Sequence, residues 1–196
     1  MITQSYNWKN SSQFSVSEKK PKLLILYSTV DGHAKHICEY AQDKLKGDKD
    51  IIVASLDEDS SHDVSAFDEI LLGASVRYGF HRSNVYKFVR ENKNELDKKK
   101  TAFFSLNLTA RKAEKASPET NPYIIKFLKK VEWDPDLKAV FAGRLDYPSL
   151  NCPNRLAILL IMAITNGPKD LSKVHDFTNW GKVDEMIESI RKLSVN

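Results

Sequence analysis

The stretch Leu23-Leu24-Ile25-Leu26-Tyr27-Ser28-Thr29-Val30-Asp31-Gly32-His33-Ala34 constrains this chain more than any other. The continuous apolar run from Leu23 to Tyr27 is what a strand covered on both faces requires. Hydroxyls at Ser28 and Thr29 and the turn-prone Asp31-Gly32 pair then break the run. From His33 onward the spacing becomes helical, with Ile37, Ala41 and Leu45 four residues apart. A strand that feeds a helix through so short a turn leaves backbone N–H groups unpaired at the positive end of the helix dipole. Such a turn is a phosphate cradle. An ordinary strand-to-helix turn carries the same pattern, so the decision falls to the rest of the chain.

The loop has neither the G-x-G-x-x-G of a dinucleotide fold nor the G-x-x-x-x-G-K-[ST] of an NTP-binding P-loop. A hydroxyl-rich loop with a single glycine after the first strand is similar to the loop by which flavodoxins hold the phosphate of FMN. Further strands are predicted at Ile51 to Ser55 (short, and so an edge), Ile70 to Gly73, Thr101 to Leu106 and Lys138 to Gly143. Helices are predicted from His33 to Lys46, Ser83 to Asn94, Ser117-Pro118-Glu119 to Val131, and Trp180 to Leu193. In the third of these, Ser117 serves as cap and Pro118 as first-turn proline. The acidic connection Asp57 to Ser65 reads as a solvated loop.

This alternation predicts an α/β fold, a flavodoxin-like doubly wound five-stranded parallel sheet in the order 2-1-3-4-5 with helices on both faces. Three loops at carboxyl ends of strands, 28–34, 74–79 and 105–112, then converge at the ligand crevice of an open sheet. The candidate cofactor residues are Ser28, Thr29, Val30, Asp31, Gly32, His33 and Ala34; Ala74, Ser75, Val76, Arg77, Tyr78 and Gly79; and Ser105, Leu106, Asn107, Leu108 and Arg111. A receiver domain of the same strand order is excluded. It needs an acid cluster after the first strand and an aspartate ending the third, where this chain has Asp31 alone and Gly73-Ala74.

A length of 196 residues suits one domain, placed at 21–196 behind a polar extension, residues 1–20, read as disordered. Trp8 and Phe14 are its candidates to dock on the domain. No stretch of 18 apolar residues exists to cross a membrane as a helix. Cys38 and Cys152 form no C-x-x-C, so neither a disulfide scaffold nor a metal site is suggested, and a reducing cytoplasmic setting fits. The net charge of +4 and pI near 8.9 favour anionic partners. Nucleic acid is not among them, because the lysines are scattered without a basic stripe. A homo-oligomer is compatible with this composition.

Between the fifth strand and the last helix lies an insertion, 144–178, with nine apolar residues after Arg155. A helix at 155–165 follows, either buried against the sheet or exposed to dip into a membrane interface or cap a lipophilic substrate.

From Lys22 to Leu193 the sequence resembles the menaquinone-dependent protoporphyrinogen IX dehydrogenase family, long-chain flavodoxin-like enzymes of haem biosynthesis. The resemblance is carried by Ser28-Thr-Val-Asp-Gly32, by Gly73-Ala-Ser-Val-Arg-Tyr-Gly79 with His81, and by Phe104-Ser-Leu-Asn-Leu-Thr-Ala-Arg-Lys112. Pro118-Glu-Thr-Asn-Pro-Tyr123, Ala142-Gly143 with Tyr147-Pro148, and Thr178-Asn-Trp180 extend it. It implies FMN as cofactor and the removal of six electrons from protoporphyrinogen IX, with menaquinone or ubiquinone as acceptor. It also implies peripheral association with the inner (cytoplasmic) membrane, which a basic face and the apolar segment support. Arg77, Arg111, Lys112 and Arg144 are candidates for the substrate's propionates. Tyr78 and Tyr147 are candidates to pack on flavin or macrocycle. His81 is read as a structural helix-start histidine, with proton shuttling as the alternative. The family's loop ends in threonine where this chain has Ala34. The departure removes one hydrogen bond to phosphate, and a protonated His33 is a candidate to compensate. Two rivals stand beside this reading, an electron-carrying flavodoxin and an FMN-dependent NAD(P)H:quinone reductase.

Overall fold

The structure is a computed structural model that describes residues 19–57, 63–165 and 167–193. The extension at 1–18 and part of the 57–65 connection lie outside the described residues; Lys19 and Lys20 are exposed. Every residue of β1 (Lys22–Ser28) after Lys22 is buried, as its apolar run demands. The strand is central: β2 (Asp50–Ser55) pairs with it on one side and β3 (Glu69–Arg77) on the other, both parallel. After the two-residue strand β4 (Phe80–His81), β5 (Lys100–Leu106) and β6 (Leu137–Phe141) complete the parallel sheet. The order β2-β1-β3-β5-β6 is the predicted 2-1-3-4-5 of five parallel strands.

Side chains along β1 alternate between two cores, as strand geometry requires. Leu23, Ile25 and Tyr27 meet α1 (His33–Leu45) through Ile37, Ala41 and Leu45. On the opposite face Leu24 and Leu26 join Val85 and Val89 of α2 (Ser83–Glu91) and Leu96 of α3 (Lys93–Leu96). Ile124, Phe127 and Val131 of α4 (Pro122–Val131) close that side. Gly73 is required at the sheet centre, because a Cβ there would come within 2.2 Å of the Phe104 ring. At the edge away from the site, Lys49 donates to both carboxylate oxygens of Glu69 at 2.7 and 2.8 Å, and both residues are buried.

Three local expectations change. The third strand does not stop at Gly73 but runs to Arg77, because it folds back antiparallel onto β4, so Ala74, Ser75 and Val76 are strand rather than loop. The helix expected over 83–94 divides at Asn92, whose side-chain amide donates to the Phe88 carbonyl. The helix expected from Ser117 begins at Pro122, where Asn121 accepts from the Tyr123 N–H. Asn121 wins because it is fully buried and bonded to Asn107, whereas the Ser117 hydroxyl meets Thr120 in an exposed turn.

The insertion has its own small core. It comprises β7 (Arg144–Asp146), α5 (Cys152–Ile164) and β8 (Val174–Asp176), the two strands pairing antiparallel. Leu145, Tyr147 and Met162 are buried there, with Leu108, Ile158 and Phe177 around them. Asn151 caps α5 by accepting from the Asn154 N–H. The Arg155 guanidinium staples its start by donating to the carbonyls of Tyr147, Pro148 and Leu150. Met162 is the buried side chain of α5, while Leu156, Leu160, Ile161 and Ile164 are exposed. The helix is therefore not buried against the sheet, and much of its apolar surface is open. The chain then enters α6 (Trp180–Leu193), which packs Val183, Ile187 and Ile190 onto the α1 side of the sheet.

Candidate functional site

All five long strands are parallel, so their carboxyl ends share one edge of the sheet, where the loops after β1, β3, β5 and β6 meet. After β1, Gly32 takes φ 76° and serves as N-cap of α1 without any side-chain cap. The first backbone hydrogen bond into the helix runs from His36 N–H to the Gly32 carbonyl. The N–H groups of His33, Ala34 and Lys35 therefore face the loop as donors at the positive end of the helix. The Thr29 hydroxyl is closed off from solvent and has no hydrogen-bond partner among the described residues. An orphaned hydroxyl beside an uncapped helix start is the donor set a phosphate needs.

The loop is braced from behind by residues that the motif reading passes over. Asn84 Oδ1 accepts from the Ser28 hydroxyl at 3.1 Å, and its amide donates to the Leu56 carbonyl and to Asp57. Arg82 donates to the Thr29 carbonyl at 3.1 Å and pairs with Asp57. Ser75 donates to the Ser28 carbonyl. The signal in the sequence is the polar triplet Arg82-Ser83-Asn84 opening a helix at the right end of a strand, which is too common a pattern to single out.

Arg77, at the end of β3, crosses to the cradle and pairs with the Asp31 carboxylate at 3.0 Å. Tyr78 and Gly79 form the hairpin tip, and the Tyr78 ring is exposed. On the third loop, Ser105 and Asn107 turn inward. His81 Nε2 meets the Ser105 hydroxyl at 3.0 Å, Asn107 and Asn121 exchange amide contacts, and Asn107 Oδ1 accepts from the Ala110 N–H. His81 is packed between Phe103 and Phe127, and burial lowers its pKa to about 4. It is a neutral structural histidine, as expected from its place before a helix.

A family model described as a flavodoxin domain matches residues 24–172. The protoporphyrinogen IX dehydrogenase (quinone) of Escherichia coli strain K12 is 37% identical over 174 residues, covering 88% of this chain and 96% of its own. That of Leishmania major is 38% identical over 170 residues, covering 86% of this chain and 74% of its own. The chain belongs to the protoporphyrinogen IX dehydrogenase (quinone) family. Among solved structures, the two-electron reduced flavodoxin of Megasphaera elsdenii aligns with a TM-score of 0.48 at 17% identity, over 60% of this chain and 84% of its own.

Several residues expected to serve the dehydrogenase site directly stand elsewhere. Tyr147 is fully buried in the insertion's core and donates its hydroxyl to the Pro168 carbonyl at 2.8 Å, so its ring faces neither flavin nor substrate. The Arg111 guanidinium is spent on the Leu108 carbonyl, the Thr165 carbonyl at 3.1 Å and the Thr165 hydroxyl, which ties the third loop to the end of α5. His33 turns its ring nitrogen to the insertion. Its Nε2 lies 2.7 Å from the Thr178 hydroxyl, which donates onward to the Ala142 carbonyl. Burial lowers the His33 pKa against the opposing pull of Asp176. Ala34 is buried in the α1-side core with Ile37 and Cys38. Arg144 is exposed and pairs with Asp146, while Lys112 follows the 3₁₀ turn Leu108–Arg111 at the crevice side. Val30 and Asp31 form the exposed tip of the cradle; Leu106 is buried and Leu108 half-buried beneath the third loop.

Proposed function

We propose that this chain oxidises protoporphyrinogen IX to protoporphyrin IX and passes the electrons to a quinone such as menaquinone or ubiquinone, with FMN held in the crevice. The observation that carries this reading is the 37% identity that spans 96% of the Escherichia coli dehydrogenase. FMN held there would supply the redox chemistry between substrate and quinone. The protein's part is to bind and orient. The Thr29 hydroxyl and the N–H groups of His33, Ala34 and Lys35 hold the phosphate, and the hairpin and the 107–112 turn flank the crevice.

His81 is buried, uncharged near neutral pH and no proton shuttle, and the His33 ring nitrogen is engaged by Thr178. Arg144, Lys112 and Arg77 are the cations at hand for two propionates, with Arg77 exchanging Asp31 for the substrate. The exposed apolar residues of α5 support docking at a lipid surface, where both substrate and quinone would partition. Among the described residues no helix is long and apolar enough to cross a membrane.

The test is anaerobic. FMN-loaded protein, protoporphyrinogen IX and a soluble quinone are mixed, and porphyrin fluorescence is followed against a no-enzyme control. Fluorescence that rises only with protein and quinone together supports the reading. No rise from protein whose absorption spectrum shows bound flavin sinks it and moves the chain to the electron carriers.

A further inference from the structure

The tip of the β3–β4 hairpin goes against its own turn chemistry. Val76 pairs with His81 and Arg77 with Phe80, so Tyr78 and Gly79 are the two loop residues. Both are left-handed, with φ of 51° and 82°. That is the pattern of a type I′ turn, in which Asn, Asp or Gly is preferred at the first position. A tyrosine there accepts backbone strain that asparagine avoids. Burial does not repay it, because Tyr78 is 78% exposed. The strained position thus holds an aromatic ring whose surface the fold leaves largely open.

The ring is also held still. Its hydroxyl donates to Asn154 Oδ1 at 2.9 Å, and the Arg77 guanidinium lies 6.0 Å from the ring centroid. Asn154 sits on the first turn of α5, where its N–H is fixed by the Asn151 cap. Arg155 and Arg111 anchor the two ends of that helix. On the other side Arg77 pairs with Asp31 in the cradle. One line of contacts thus runs from the phosphate loop through Arg77 and Tyr78 to the apolar helix.

We propose that Tyr78 is the wall of the crevice that takes the flat face of the tetrapyrrole, and that Asn154 is the positioning residue that holds this wall in place. The proposal rests on the functional reading above. An aromatic face suits a planar conjugated ligand. Holding the ring by its hydroxyl before the ligand arrives removes the cost of ordering it on binding. The insertion then contributes to substrate recognition through a residue that never touches the substrate.

The experiment titrates FMN-loaded protein with protoporphyrin IX, followed by porphyrin fluorescence, and titrates flavin-free protein with FMN in parallel. Tyr78→Phe and Asn154→Ala should each weaken porphyrin binding about threefold to tenfold, with the double variant no weaker than either alone. FMN affinity should not change. Tyr78→Asn should raise Tm, since it suits the turn, and yet lose the most porphyrin affinity. Unchanged porphyrin affinity in Asn154→Ala, or losses that add in the double variant, would overturn the role of Asn154. A matching fall in FMN affinity would assign the ring to the cofactor instead, and a lower Tm in Tyr78→Asn would remove the strain argument. A wild-type protein that fails to bind the porphyrin sinks the functional reading and this one with it. A wild type that binds, with variants that bind equally well, sinks this one alone.

Discussion

Replacing Thr29 by Val exchanges one hydroxyl for a methyl of nearly the same volume at the floor of the cradle. Among the described residues that hydroxyl has no partner, and it is shut away from water. A buried polar group in this condition costs about 1–3 kcal/mol. Thr29→Val should therefore stabilise the flavin-free protein by up to that amount. For a chain of this size each kcal/mol moves Tm by about 2–4 °C. With FMN bound, the sign reverses. A hydrogen bond to a charged acceptor contributes about 1.5–3 kcal/mol, so FMN affinity should fall roughly 10- to 150-fold. The assay is thermal unfolding with and without FMN, together with a titration of flavin fluorescence. The variant should start from a higher Tm and gain less from a given FMN concentration. A variant that is less stable without flavin and binds it as tightly as wild type would refute the reasoning, because the hydroxyl would then belong to the protein and the phosphate to another place.

Lys49→Met removes the ammonium that both carboxylate oxygens of buried Glu69 accept from, and should cost about 3–5 kcal/mol in urea unfolding. The double variant with Glu69→Leu should recover most of that loss; if it does not, the pair is not the cause. Below neutral pH, His81 should contribute a loss of stability. Its folded pKa of about 4 lies beneath the ordinary 6.5, so the unfolded chain takes up the proton first. The contribution is complete above pH 6.5 and declines as pH falls toward 4, by about 2–3 kcal/mol at pH 4.5. His81→Gln should flatten the pH dependence by that amount, and an unaltered slope would contradict it. Finally, Leu160→Asp should weaken binding to anionic lipid vesicles about 10- to 150-fold, the equivalent of withholding one leucine from an apolar phase. Equal co-sedimentation of variant and wild type would show that α5 does not meet the bilayer.

Strand order and core were legible because they are written locally. A strand covered on both faces must be apolar throughout, as Leu23 to Tyr27 are, and the alternation with helices then leaves few topologies. The β3–β4 hairpin was not legible, because Tyr78-Gly79 lacks the Asn-Gly or Asp-Gly signal of its turn. The start of α4 offered two adjacent signals, Ser117-Pro118 and Asn121-Pro122, and a contact with Asn107 across the chain chose between them. Where the charged side chains point is decided over still longer distances. Arg111 meets Thr165, and His33 meets Thr178, 145 positions away. The cradle could be placed from a run of twelve residues, whereas the partners of Arg111 and His33 depended on an insertion whose folding no local pattern describes.

That insertion leaves the sheet at Gly143 and comes back at Phe177, where the N–H of Phe177 donates to the Gly143 carbonyl. Departure and return are hydrogen-bonded neighbours, so the intervening chain is a cassette whose two ends meet at one point of the parent domain, with Arg111 and Tyr78 reaching across to α5. Closing a loop between fixed ends costs only about 0.6 kcal/mol for each doubling of its length. The parent sheet is therefore nearly indifferent to what is plugged in there, and its cofactor loops can be paired with a different cassette for a different substrate. Trading one appendix for another changes what the crevice admits, while the sheet beneath is left as it was.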